Sequence, residues 1–530
     1  MKEETLCNYE FILTKACAMS VAQVLDDINL ALQSPGSVGD KELQLLHDAL
    51  VISMNALKLD PTQLASQLIG RIGRCVDKKF VNLNSLLQQA MKPSIPNLIP
   101  RRECLTRPGN EKPNLASVDM TSLNVENIYM NNSNVNVTTT SKTRKSLTVW
   151  NVNTCVPVRT FRNIAADHIV IMKSNKIAVY FDRRIVIIDL DSGEILNKIK
   201  GFHYQPKLLD NEHLVTLSRG RRFVKIVNAI SGDSITMLKS DHKSCIDRLL
   251  VSSVGSVAVC IYKSEDSGIN FISWDLKIKQ QLPKFDSKDY IFKDSVIRYS
   301  SLSDDGEIFV TASDGTRKSS EKQAAVVFDI KSGKVNFGLL YESSQARGLP
   351  IGFTCFTISK DIILSGCKDN SLRCWNRING KVIHSLKGHS RPVQQIRVDE
   401  ESYRAVTAAN HREDNSIRLW DIKDGIPLSC FIPDEIPKGI GITNCGSWIV
   451  FSIDKEENLG ILGLFSNKSE PKAVNEDRSI DDAFAEIDLE SCCTATHDPF
   501  DGDDDVDEFE FDAVTIETDT STDPMTSDDL

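Results

Sequence analysis

Gly388-His389 opens a stretch that runs through Ala405-Val406-Thr407 and closes with Asp414-Asn415-Ser416-Ile417-Arg418-Leu419-Trp420-Asp421, then Lys423-Asp424-Gly425. Short β-rich runs with alternating apolar residues end here in an aromatic residue followed by an acid. A turn containing glycine comes next. Glycine at that point supplies the positive φ that a tight connection between antiparallel strands requires.

The same pattern recurs upstream. Ser146 to Asn151, Ile185 to Asp189, Val224 to Asn228, Phe271 to Asp275, Val326 to Asp329 and Ser371 to Asn376 each end in an anchor followed by Asp or Asn. The anchors Trp150, Ile188, Val227, Trp274, Phe328, Trp375 and Trp420 lie 38, 39, 47, 54, 47 and 45 residues apart. A unit of about 40–45 residues is that of a four-stranded propeller blade. Leu459 to Leu464 reads as a degenerate eighth copy. The reading is an all-β propeller over 115–465, of eight blades or of seven plus a closing strand, with eight favoured. Ring closure would remove the long exposed sheet edges such a chain must manage.

These copies resemble WD40 repeats. The resemblance implies that His389, Thr407, Asp414 and Trp420 hydrogen-bond together, although Asn410 to Glu413 lengthen the turn between Thr407 and Asp414. A buried imidazole and indole N–H each need such partners. Copy six keeps Asp369 and Trp375 but has no Gly-His ahead of them. Copies two and three replace Trp with Ile188 and Val227, so apolar packing must carry more of those blades.

Residues 1–100 read as an α-helical domain. Phe11, Ile12, Ala16, Val21, Val24, Leu25, Ile28 and Leu32 form one apolar stripe at helical period, ended by Ser34-Pro35-Gly36. Asp40 is a helix N-cap, with Leu43, Leu46, Leu50, Met54 and Leu57 on one face behind it. Asp60-Pro61 starts a third helix and a shorter one runs around Leu83 to Met91. A proline-rich connector follows, assigned to 101–114.

Asn8 to Leu13, Leu57 to Arg71 and Leu105 to Gly109 resemble the helical segment that joins NTPase and propeller in NACHT and WD repeat domain-containing proteins. Members of that family bind and hydrolyse nucleotide through a P-loop. No G-x-x-x-x-G-K-[ST] occurs here, and the glycines at Gly36, Gly39, Gly70 and Gly73 lack its spacing and lysine. The resemblance therefore implies a chain without the motor: a truncated product, or a paralogue that senses without signalling.

The net charge is −11, yet residues from Glu476 onward hold 21 acids and one base, Arg478. Residues 1–475 carry +9. The tail, 466–530, is read as disordered, since Asp, Ser and Thr bury too little apolar area to offset ordering entropy. Asp501 to Asp512 mimics a calcium loop, but Val506 stands where the turn needs Gly and Asp512 where Glu is expected. No metal or cofactor is expected.

Neither a zinc site nor a disulfide framework is legible in the fourteen cysteines, the Cys492-Cys493 pair included. The sequons at Asn131, Asn136 and Asn467 follow no secretory signal. No apolar run reaches the roughly 20 residues of a membrane-spanning helix. The expectation is a cytoplasmic, non-enzymatic scaffold that binds other proteins, neither membrane nor nucleic acid. The runner-up is the regulatory part of a nucleotide-switched NTPase. The basic runs Lys142 to Lys145 and Arg219 to Arg222 read as solvated turns, or as loops over which the acidic tail folds back.

Overall fold

The computed structural model describes residues 5–465 apart from short segments, the longest being 110–124, 286–295, 315–324 and 340–351, and none of residues 466–530. Helices come first, among them α1 (Tyr9–Ala18), α2 (Val21–Leu32), α3 (Lys41–Leu59), α4 (Leu64–Ile72) and α5 (Val81–Ala90). The single stripe read from Phe11 to Leu32 is two helices. Ser20 is fully extended and its hydroxyl accepts from Gln23 N, which ends α1 at Met19 and caps α2. The apolar phase survives the break, so Ile12, Ala16, Val24 and Ile28 enter one core with Leu43, Leu46, Leu50, Leu68 and Leu86. Asp40 caps α3, accepting from Glu42 N at 2.9 Å and Leu43 N at 3.2 Å.

Eight four-stranded antiparallel sheets follow. Blades 1 to 7 are simple meanders over 125–161, 168–200, 207–239, 246–281, 296–339, 353–386 and 395–431. Their first strands neighbour one another in sequence order, and the first strand of blade 8 (Pro437–Ile442) neighbours that of blade 1 (Val125–Met130). The first strands therefore form a closed cycle at the centre, and the chain is an eight-bladed β-propeller.

Blade 8 has only three strands from 437–465. Its fourth is Asn97–Pro100, paired antiparallel to Leu459–Phe465 with Asn97 opposite Phe465 and Pro100 opposite Leu462. Residues 97–100, read from sequence as the end of the helical segment, are thus the clasp of the ring. The prolines Pro96 and Pro100 beside Leu98 and Ile99 hide the strand in the sequence. As an edge strand it tolerates Pro100, because an outer edge needs no second ladder of donors. Leu98 is buried beneath blades 7 and 8, while Ile99 joins the helical core.

Seven anchors end in the same device. Asn151, Asp189, Asn228, Asp275, Asn376 and Asp421 each turn one carboxylate or amide oxygen onto the backbone N–H groups two and three residues on. Asp329 does so to Ser332 N. This is why an Asx residue follows each anchor: it closes the hairpin to the outermost strand. Five of the turns then use glycine at φ from 67° to 82°, whereas Cys155 and Lys279 hold φ of 61° and 58° there.

Candidate functional site

In blade 7, His389 sits between two partners, Nδ1 facing Asp414 Oδ2 at 3.0 Å and Nε2 facing Thr407 Oγ1 at 2.8 Å. Trp420 Nε1 donates to the same Thr407 oxygen at 2.8 Å. The lengthened turn does not separate Thr407 from Asp414, because His411 and Asp414 exchange backbone hydrogen bonds and close it. Ser416, which the sequence reading missed, donates to Asp414 at 2.6 Å. The His389 and Ser416 contacts hold the Asp414 carboxyl far below its ordinary pKa. Burial lowers the His389 pKa against the pull of Asp414. These hydrogen bonds link His389, ahead of the first strand of blade 7, to the second strand through Thr407, to the third through Trp420, and to the turn between them through Asp414.

The remaining predicted residues are not brought into one network. Trp375 Nε1 donates to Ser365 Oγ at 2.8 Å, and Ser365 occupies in blade 6 the register place of Thr407 in blade 7. Asp369 instead holds Arg373 at 2.8 Å and Ser371 at 2.5 Å. In blade 2 the corresponding pair is Val179 and Ile188, both apolar and buried. Blade 5 keeps Thr311 at that register but has Phe328 as anchor, and Thr311 Oγ1 is buried with no hydrogen-bond partner. Trp150, Val227 and Trp274 are likewise buried packing residues.

A second polar cluster joins the helices to the ring. Asp60 accepts from Thr62 N and Pro61 begins a short 3-10 turn that leads into α4. Gln63, Gln67 and Arg71 then follow at four-residue spacing on one face, all buried. Gln63 donates to Cys430 O and accepts from Ile432 N, so its amide pairs with the outer edge of blade 7 as a strand would. Gln67 donates to Ile432 O at 2.9 Å. Ser66 Oγ donates to Leu98 O at 2.8 Å, and Leu98 N to Ser429 Oγ at 3.0 Å.

Arg71 completes the seam. Its guanidinium donates to Asp434 Oδ1 at 2.6 Å and Oδ2 at 3.0 Å, to Thr106 O and Gln67 Oε1 at 2.9 Å each, and to Ser53 Oγ at 2.9 Å. All five N–H groups are used. Arg71 and the Thr106 amide hold Asp434 below its ordinary pKa. The Leu57 to Arg71 stretch, which carries the family resemblance, does not announce this role in its sequence. The legible signal was the polar i, i+4, i+8 series on the face of a short apolar helix.

Burial raises the thiols of Cys260, Cys355, Cys374 and Cys430 to about 12 and that of Cys367 to about 11, so all are protonated at neutral pH. Among the described residues no group of three His, Cys, Asp or Glu side chains could hold a metal ion, and no helix is long and apolar enough to cross a membrane. The histidines are scattered: His213 meets Asp210 at 2.7 Å, His384 meets Lys423 O at 3.0 Å, and His168 faces Lys207 at 3.5 Å. Cys492, Cys493, Lys142 to Lys145, the calcium-like stretch 501–512 and the acidic tail lie outside the described residues.

The family of the WD domain, G-beta repeat, matches residues 380–421, from the turn before the fourth strand of blade 6 through the third strand of blade 7. The chain carries a WD40 repeat there. Eukaryotic translation initiation factor 3 subunit I of Xenopus laevis is 26% identical over 116 residues, covering 22% of this chain and 35% of that protein. The Danio rerio protein of the same name is 25% identical over 118 residues, covering 22% and 35%. The Homo sapiens protein is 25% identical over 115 residues, covering 22% and 34%. The match thus spans about a third of the length of these curated relatives. Among solved structures, the computationally designed Ika8 protein is 16% identical with a TM-score of 0.48, covering 65% of this chain and 98% of that one.

Proposed function

We propose that this chain is a non-enzymatic scaffold that presents one rigid helix–propeller unit to other proteins. The observation that carries the reading is the allocation of buried polar groups. The His389 chain and the Arg71 seam are consumed in holding blades and helices together, and the reactive side chains that remain are buried, protonated or dispersed. What is left for partners is the turn surface of the ring. The relatives above are named as a subunit of a larger factor, which supports reading this chain too as one component of an assembly.

A second reading keeps the NACHT and WD repeat resemblance: a sensor part whose motor lies on another polypeptide or upstream. That reading rests on the sequence resemblance of the Leu57 to Arg71 stretch, which here couples helices to ring.

Affinity capture with the full chain, followed by cross-linking and mass spectrometry, tests the scaffold reading. It expects defined partners cross-linked to turn residues of the blades. Turnover of ATP or GTP by the purified chain would overturn it. An in-frame P-loop upstream of Met1 in the transcript would establish the second reading.

A further inference from the structure

In a meandering four-stranded blade, the turns between second and third strands leave the ring on one face, together with the connections into the next blade. The turns between first and second and between third and fourth strands leave on the other. In blades 2 and 3 the charges divide along this line. Asp189, Asp191, Glu194, Asp210, Glu212 and Asp233 belong to the second group of turns. Arg183 and Arg184, and Arg219, Arg221 and Arg222, belong to the first.

The two arginine turns converge across the blade boundary. The segment Gly201 to Gln205 links the blades, and Phe202 N donates to Arg183 O at 3.0 Å. The cations of Arg183, Arg219 and Lys225 all act on His203 in that segment. Arg221 stacks over Tyr204 at 5.7 Å, and its carbonyl accepts from Ile246 N at 2.8 Å, which fixes the turn against blade 4. Toward the centre, the first strand of blade 3 adds Lys207, while Arg248 donates to the Ile297 and Arg298 carbonyls of blade 5. Asp167, Asp182 and Asp247 are the acids among the described residues on this side, and Asp182 faces Arg184 at 3.9 Å. The surface is therefore cationic, preformed and oriented, with the acidic turns behind it.

We infer that the arginine face of blades 2 and 3 is a docking site for an acidic protein segment, one with several Asp or Glu side chains in an extended run. This rests on the scaffold reading above and names the partner chemistry. Guanidinium forks fit carboxylates in pairs. Single-stranded nucleic acid would need open aromatic rings to stack on. Here the Tyr204 ring is covered by Arg221, and the +9 surplus of residues 1–475 is too dilute for a phosphate-tracking surface. Clustered charges of this kind act chiefly on association and are screened by salt.

Fluorescence anisotropy with the full chain tests the site, using a labelled Asp/Glu-rich peptide of about twelve residues as probe. Wild type binds it at low salt, and affinity falls as salt rises. The triple reversal Arg219→Glu, Arg221→Glu, Arg222→Glu weakens binding roughly tenfold or more, about 1.4 kcal/mol. The reversal Lys277→Glu, in the turn after the Trp274 anchor on the opposite face, leaves it unchanged. Arg183→Glu alone gives an intermediate loss and guards against a folding artefact in the triple variant. No peptide binding by wild type, equal loss in Lys277→Glu, or tighter binding of a uridine oligonucleotide or of inositol hexakisphosphate than of the peptide would overturn the inference. If partners found by affinity capture still bind the triple variant in full, this site fails and the scaffold reading stands.

Discussion

Arg71 in α4 and Asp434 on the crossing from blade 7 to blade 8, 363 residues apart in sequence, meet through two hydrogen bonds of 2.6 and 3.0 Å. The guanidinium is almost wholly excluded from solvent, so its charge is tolerable only while Asp434 is present. Asp434→Ala strands that charge and should cost about 3–5 kcal/mol in chemical denaturation. Arg71→Met with Asp434→Leu should recover a large part of the loss, because it removes both charges together. A loss below about 1 kcal/mol in Asp434→Ala would mean that the seam is wetter than described.

Thr311 and Thr407 occupy the same register in blades 5 and 7, but only Thr407 has an indole to accept from. Thr311→Val replaces an unpartnered buried hydroxyl by a methyl and should be neutral or stabilising by about 1 kcal/mol. Thr407→Val leaves Trp420 Nε1 without an acceptor and His389 Nε2 without its hydroxyl partner, and should cost about 2–3 kcal/mol. Paired melting curves of the two variants measure the contrast, and equal losses would contradict it.

The turn conformations give a gain-of-stability test. Lys279 adopts the φ of 58° that glycine adopts at the corresponding place in five other blades. Lys279→Gly relieves the left-handed strain and should stabilise by about 1 kcal/mol. Gly232→Ala places a Cβ no closer than 3.4 Å to Ile199, so its expected cost of about 1–2 kcal/mol is conformational rather than steric. A destabilised Lys279→Gly would contradict the shared turn geometry.

His168 gives the pH dependence. Burial first, then the nearby Lys207 charge, lowers its pKa from 6.5 to about 4. The folded ring stays neutral where the unfolded one is already protonated. Its contribution is fully present above pH 6.5 and is lost as pH falls toward 4. Solvent at this half-buried site should hold the loss to about 1–2 kcal/mol. His168→Gln should flatten the stability profile between those pH values, and an unchanged slope would show that other groups set it.

Much of the ring was legible because each blade repeats one local solution: a buried anchor, then an Asx side chain that folds back on its own turn. Such contacts span two or three residues, so the pattern survives in sequence even where Trp becomes Ile188 or Val227. The polar chain of blade 7 was legible through His389 and Trp420. Its partner Ser416 was hidden, since a serine beside Asp414 looks like any turn serine. The clasp and the seam were not legible. Asn97–Pro100 pairs with a strand more than 360 residues away, and proline makes it look like linker. Gln63 likewise acquires its role only from the unpaired edge at Cys430 and Ile432.

The central claim is that the helices and the ring form one folding unit, joined by the clasp and the Arg71 seam. All five tryptophans, Trp150, Trp274, Trp375, Trp420 and Trp448, lie in the propeller, whereas α1 to α5 dominate the helical circular dichroism signal. Equilibrium unfolding of the full chain in urea, followed by tryptophan fluorescence and by ellipticity at the helical band, separates the two parts. The account predicts coincident transitions by both probes. Loss of helical signal at lower urea, with tryptophan emission still native, would contradict it.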